Sequence, residues 1–176
     1  SGFQSHLIKR PTNDFSGNLV TGNSGNIINE SYYIYSNIFY NNSNGYIINM
    51  DNNQEKHIYN NIIVGNNNGI KIFSFEDGGD VYNNVIAENN GTYMLYIKGD
   101  GDNYSSDNGN QVTKNSFVRN TAGSIIHLGN QTHGDIDIVY NTISNNASIT
   151  SAVIEQNVYS NNDYTNFSIA NNNVIN

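Results

Sequence analysis

One pattern dominates the chain: h-x-x-N-x-h-x-x-N, where h is apolar and the two asparagines stand five residues apart. It reads FSGNLVTGN (15–23), IYSNIFYNN (34–42), IYNNIIVGN (58–66), VYNNVIAEN (81–89), VTKNSFVRN (112–120), IVYNTISNN (138–146) and IEQNVYSNN (154–162). A truncated copy, IANNNVIN, occupies 169–176. The first asparagines are Asn18, Asn37, Asn61, Asn84, Asn115, Asn141, Asn157 and Asn172. The second are Asn23, Asn42, Asn66, Asn89, Asn120, Asn146 and Asn162. A unit that recurs at this spacing signals a solenoid, because one such unit buries its apolar face only against its neighbours. Five copies add a glycine soon after the second asparagine, at Gly25, Gly45, Gly69, Gly91 and Gly123, and then an apolar run. Each unit is expected to be strand, Asn turn, Gly, strand and a loop of variable length. Successive first asparagines lie 19, 24, 23, 31, 26, 16 and 15 residues apart. The last two intervals are too short for the same coil, so either Asn157 marks an irregular terminal coil or the register changes there.

Stacked coils set equivalent residues above one another at about the 4.8 Å inter-strand spacing. The expected core columns are Ile63, Ile86, Phe117 and Ile143, and Ile28, Ile48, Ile72, Met94 and Ile126. Asparagine suits the corners because it tolerates the left-handed backbone of a tight turn. Its amide both donates and accepts, so a column of asparagines can bond along the axis as a ladder. The expected ladder residues are Asn18, Asn37, Asn61, Asn84, Asn115 and Asn141 at one corner. Asn23, Asn42, Asn66, Asn89, Asn120 and Asn146 form the other. Glycine lets the chain bend without a Cβ clash. No segment holds a 3.6-residue apolar stripe uninterrupted, so helices are not expected.

This template resembles the right-handed parallel β-helix repeat of the pectate-lyase-like superfamily. It is similar to the Asn-rich arrays of carbohydrate-binding and sugar-hydrolase proteins and of bacterial and archaeal adhesin-like surface proteins. The resemblance covers residues 13–176, with 1–12 as a lead-in. It implies an all-β solenoid of six or seven coils. Function is left open, because lyases, hydrolases, epimerases, tailspikes and adhesins share the coil.

Composition narrows the rest. The chain holds 38 Asn and 23 Ile, with 13 Tyr and 7 Phe, too many large side chains for a disordered chain. Its net charge of −8 comes from only 12% charged residues, and its seven Lys and Arg are scattered. Such a surface does not suit nucleic acid, which needs clustered cations. No apolar run reaches the roughly 20 residues of a membrane span. The absence of cysteine excludes disulfide and thiol chemistry. Seven Asn-x-Ser/Thr sequons, at Asn29, Asn41, Asn90, Asn103, Asn130, Asn146 and Asn166, fit an exported, glycosylated protein.

Four residue sets are candidates for function. The exposed amides of the asparagines could match a periodic ligand such as a glycan, ice or mineral, but turn formation is much the plainer explanation. Acidic residues gather in the variable loops: FEDGGD (75–80) and KGDGDNYSSDNGN (98–110) mix carboxylates with Gly and Asn as calcium loops do. The metal candidates are Glu76, Asp77, Asp80, Asp100, Asp102 and Asp107, against the plainer reading of solvated loops. Asp100 and Asp102 with Lys98 are the catalytic candidates for polysaccharide cleavage. His127, His133 and the Lys56-His57 pair sit in no catalytic motif that β-helix lyases carry. Finally, Tyr35, Tyr59, Tyr82 and Tyr140 recur at or near one repeat position, as a stabilising aromatic ladder or an outward face for a partner or sugar rings.

These features point to a non-catalytic extracellular or cell-surface module, adhesin-like or structural. Its expected partners are surface glycans and further copies of itself, met through the Tyr-rich face or end to end. The chain stops within the pattern at NNNVIN with no evident cap, so it is expected to be part of a longer array or a stacking subunit. The alternative is a Ca-dependent polysaccharide lyase or glycoside hydrolase acting through the acidic loops.

Overall fold

The computed structural model describes residues 8–9, 14–29, 31–43, 45–50, 56–73, 79–98, 110–129, 136–147, 149–150, 152–156 and 167–175. All of its strands fall into three parallel seven-stranded sheets, and no helix occurs among the described residues. Sheet A contains Ile8–Lys9, Ile28–Asn29, Ile48–Met50, Ile70–Phe73, Asn90–Lys98, Thr121–Leu128 and Ile154–Gln156. Sheet B contains Asp14–Ser16, Tyr33–Tyr35, Lys56–Tyr59, Gly79–Tyr82, Asn110–Thr113, Ile136–Val139 and Phe167–Ala170. Sheet C contains Leu19–Thr21, Ile38–Tyr40, Ile62–Val64, Val85–Ala87, Ser116–Val118, Thr142–Ser144 and Asn173–Ile175. The chain passes from A to B to C and back to A throughout, an arrangement compatible with a parallel β-helix. Rungs are numbered 1 to 7 by the sheet C strand.

Each repeat therefore holds three strands, not the two expected. The segment between the paired asparagines is itself a strand, but only three residues long with one inward side chain. That is too short for alternation to be visible in the sequence.

The apolar position of each repeat faces inward. Val20, Phe39, Ile63, Ile86, Phe117, Ile143 and Val174 are in register down sheet C. Phe15, Ile34, Ile58, Val81, Val112, Ile138 and Ile169 are in register down sheet B. From rung 2 to rung 6 every one of these is buried. Full burial of such side chains stabilises by about 1.5–3 kcal/mol each before chain entropy is charged against it.

The sheet A column departs from expectation. It runs Ile28, Ile48, Ile70, Leu95, Ile126 and Ile154. Ile72 instead pairs with Met50 and Ile97, and Met94, though buried, precedes the column residue by one. Counting from the glycine misleads because Gly69 is followed at once by Ile70, whereas Gly91 stands four residues before Leu95.

The short intervals at the end also resolve. Ile154 pairs with Ile126 in sheet A, so IEQN does not begin a new copy. Asn141 bonds directly to Asn172, 31 residues on, an interval like those of earlier rungs. Asn157 and Asn162 lie outside the described residues.

Backbone geometry corrects the assumed role of the corner asparagines. The left-handed residue is the one before each: Gly17, Ser36, Asn60, Asn83, Lys114, Tyr140 and Asn171 at the first corner. Gly22, Asn41, Gly65, Glu88, Arg119 and Asn145 take the same role at the second, all thirteen with φ between 52° and 70°. The glycines after the corner serve close approach more than bending. A Cβ on Gly45 would strike the Gly25 backbone, and one on Gly69 would strike the Met94 carbonyl oxygen.

Candidate functional site

The amides of the corner asparagines are turned along the axis. Asn18, Asn37, Asn61, Asn84, Asn115 and Asn141 each direct both backbone N–H and Nδ2 to Oδ1 of the next asparagine, ending at Asn172. Asn23, Asn42, Asn66, Asn89 and Asn120 do the same, ending at Asn146. Asn61 is representative. Its Nδ2 donates to Asn84 Oδ1 at 3.0 Å, to the Tyr59 carbonyl at 3.1 Å and to the Ile34 carbonyl at 2.8 Å. The bond to Tyr59 closes the turn around left-handed Asn60, and Asn141 closes the turn around left-handed Tyr140 in the same way through the Val139 carbonyl. Asn61 and Asn66 are 1% exposed. From Asn37 to Asn141 at the first corner and from Asn42 to Asn120 at the second, these amides are buried and spent on neighbouring rungs.

Of the metal candidates, Glu76, Asp77, Asp100, Asp102 and Asp107 lie outside the described residues, as does the Lys98 side chain. Asp80 is described: its Oδ2 lies 3.3 Å from His57 Nδ1, and the Tyr33 ring stacks on His57 at 4.9 Å. Among the described residues no group of three or more His, Asp or Glu is placed to hold a metal ion. Lys56, beside His57, is fully buried and in register with Gly79.

A second carboxylate–imidazole pair was not legible in the sequence. Glu155 and His127 stand opposite each other in sheet A, with His127 Nδ1 2.9 Å from Glu155 Oε2. Ser124 Oγ donates to the same oxygen. Tyr93 stacks on His127 at 4.2 Å and Tyr96 at 5.2 Å. Burial, then Tyr93, raises the Tyr96 hydroxyl above its ordinary pKa; burial, then Tyr93 and Tyr96, raises that of Tyr46. Three residue types of hydrolytic triads meet here, in the wrong order. The serine donates to the carboxylate rather than to the imidazole, so His127 does not activate it. The cluster clamps two strands together. His133 lies outside the described residues.

The sequons sort by burial. Asn29 is buried, with its Oδ1 accepting from Asn49, and Asn146 Nδ2 donates to the Phe117 carbonyl. Asn41 and Asn90 are exposed and could carry a sugar without opening the core. Asn103, Asn130 and Asn166 lie outside the described residues.

The outward columns hold the largest surprise. Tyr35, Tyr59 and Tyr82 stack down sheet B with centroids 4.9–5.0 Å apart and planes within 3°. Each ring covers its neighbour's face, so the stack presents rims and hydroxyls, not faces for sugar rings. Burial, followed by Tyr82, Tyr35, Asp14 and Tyr33, raises the Tyr59 pKa. Tyr140 does not join: Thr113 and Val139 continue the column, and Tyr140 occupies the left-handed position after it. Across the corner, sheet C turns out Leu19 (67% exposed), Ile38 (42%), Ile62 (42%) and Val85 (41%), then Ser116 and Thr142. Its second outward column runs Thr21, Tyr40 (53% exposed), Val64, Ala87, Val118 and Ser144. Rungs 1 to 4 thus turn outward a mainly apolar, uncharged face on which Leu19, Ile38, Tyr40, Ile62 and Val85 are exposed and Ala87 is buried. Contiguous apolar surface of this kind marks interaction sites.

No protein-family model, curated protein or solved structure matches the chain.

Proposed function

We propose that the chain is a right-handed parallel β-helix module of the pectate-lyase-like kind, acting at the cell surface or outside the cell without catalysis. In this reading it is adhesin-like or structural and works by presenting faces for association. The observation that carries it is the uncharged, mainly apolar face of sheet C, on which Leu19, Ile38, Tyr40, Ile62 and Val85 are exposed while the corner amides of the middle rungs are consumed inside. An enzyme would concentrate ionisable groups at an accessible point. Here the two carboxylate–imidazole pairs are each engaged with a neighbouring strand. Calcium on Glu76, Asp77, Asp80, Asp100, Asp102 and Asp107 belongs to the competing enzymatic reading; of these, Asp80 is held by His57.

Incubation with acidic and neutral polysaccharides, with and without Ca²⁺, tests the proposal. The expected result is retention on a glycan or cell-surface preparation with no new reducing ends and no unsaturated uronate. Turnover that disappears in an Asp100→Asn, Asp102→Asn double variant would overturn it in favour of a lyase or hydrolase.

A further inference from the structure

The outward face of sheet B differs from that of sheet C in being acidic. On rungs 1 to 6 its outward positions hold Asp14, Asp80 and Asp137, and neither Lys nor Arg. Their imidazole, His57, stands beside Asp80. The acids are felt by the rings between them. Asp80 is the second cause, after burial, that raises the Tyr82 hydroxyl pKa. Asp14 helps to raise that of Tyr59, behind burial, Tyr82 and Tyr35.

The same face holds two aromatic columns. Tyr33 stacks on His57 with centroids 4.9 Å apart and planes within 7°, beside the column of Tyr35, Tyr59 and Tyr82. The columns stand two residues apart on their strands, about 6.6 Å. Because the stacked rings are nearly parallel, a straight channel walled by ring rims runs along the stacking axis over rungs 2 to 4. From Tyr35 to Tyr82 it is about 10 Å long. Asp14 is in register with Tyr33 on one side, and Asp80 with His57 on the other. A carboxylate thus stands at each end of the Tyr33–His57 wall.

We propose that this channel binds a rod-shaped, flat aromatic cation, electron-rich along its length and positive at an end, laid along the stacking axis. Ring rims carry the positive edge of each ring's quadrupole, so the negative face of an electron-rich π-system meets them in the arrangement that aromatic pairs favour. The charged end meets Asp14 or Asp80 and offsets the repulsion among acids in a chain of net charge −8. A rigid rod arrives already straight, whereas a basic peptide gives up rotamer and backbone freedom to lie in the channel. A sugar brings neither the π-face nor the charge. Open along its outer side, the channel covers less of a ligand than a closed pocket does, so binding is weak. The site stands apart from the proposed function, since it needs neither a glycan nor a cell surface.

Thioflavin T, a benzothiazolium cation joined to an electron-rich aniline, has this shape and serves as the probe, followed by fluorescence and equilibrium dialysis. Saturable binding to the unmodified chain is expected. Tyr59→Ala, which removes the middle ring of the longer column, should weaken it by at least about tenfold. Thr113→Tyr adds a ring beside Tyr82 on rung 5 and should strengthen it by about threefold. The double variant Asp14→Asn, Asp80→Asn should weaken it by about fivefold and remove its dependence on salt. Leu19→Ser, on sheet C, should leave it unchanged. Circular dichroism and melting show which variants remain folded, and the gain expected of Thr113→Tyr does not depend on any loss of structure. Absence of saturable binding overturns the proposal, as does undiminished binding by folded Tyr59→Ala. Equal affinity for a flat anionic dye, or displacement of the probe by an oligoarginine peptide that binds more tightly, overturns the ligand class. Polysaccharide turnover with the dye site intact removes the proposed function and leaves this inference standing.

Discussion

At the first asparagine corner, rungs 2, 3 and 4 turn outward Tyr35, Tyr59 and Tyr82 on one side and Ile38, Ile62 and Val85 on the other. On rungs 5 and 6 the same positions hold Thr113 and Val139, then Ser116 and Thr142. Inside, the two regions barely differ. Phe39 and Ile63 on one side correspond to Phe117 and Ile143 on the other, all buried, and the amide bonds continue through both at 2.8–3.1 Å. Winding is thus carried by the inward and corner positions, which repeat. Outward positions are free to change, so whatever distinguishes this protein from any other stack of rungs is written there.

The inside is expected to be equivalent in both regions, and the largest effects test that. Phe39→Ala and Phe117→Ala should each cost about 3–5 kcal/mol in chemical denaturation, the usual range for a buried ring. A difference of more than about 2 kcal/mol between them would break the equivalence.

Next in size, Asn61→Ala and Asn115→Ala should each cost about 3 kcal/mol, because each strands several buried donors and acceptors that no water reaches. Asn18→Ala, at an exposed end of its column, should cost no more than about 1 kcal/mol. Similar losses at all three positions would mean that the column is not a buried unit.

Alkaline pH should separate the regions instead. The Tyr59 and Tyr82 hydroxyls have raised folded-state pKa values, burial being the first cause in both. A raised folded pKa means the unfolded chain loses its proton first as pH climbs. The stability from these groups is therefore intact below the model value of 10.0 and lost as pH rises through the higher folded values. Melting temperature should fall above about pH 10, and Tyr59→Phe should flatten that fall. Thr113→Val, in the other region, should leave it as steep as before.

The smallest effect sits at the corners. Lys114→Gly should stabilise by up to about 1 kcal/mol, because a left-handed residue with a Cβ is replaced by one without. Gly65→Ala, at φ 62° on rung 3, should destabilise by a similar amount.

The parallel all-β architecture was legible because a side chain that must face a neighbour's equivalent has to recur with the rung. Phe15, Ile34, Ile58, Val81, Val112 and Ile138 all stand three residues before the first asparagine, and the structure stacks them in that order. Legibility failed where a residue's role depends on what lies beside it rather than along it. The sheet C strands were hidden inside the corner motif, so the outward facing of Ile62 and Val64 appears only once the strands are paired. His127 and Glu155 are 28 residues apart with no shared motif, so only strand register brings them together. Tyr140 looked like a member of the tyrosine column because one residue of offset is invisible until the left-handed turn is placed.

By itself, the sequence determined that the chain repeats, that asparagine marks both corners of the unit, and which apolar residues of each corner motif are buried. The recurring corner motif suffices for that, since a repeating backbone imposes the same burial on every copy. Tertiary structure decided which residue takes the strained turn, where sheet A's register falls, and which aliphatic side chains remain outside. Those depend on distances between rungs, and loops of unequal length erase that information from the linear order.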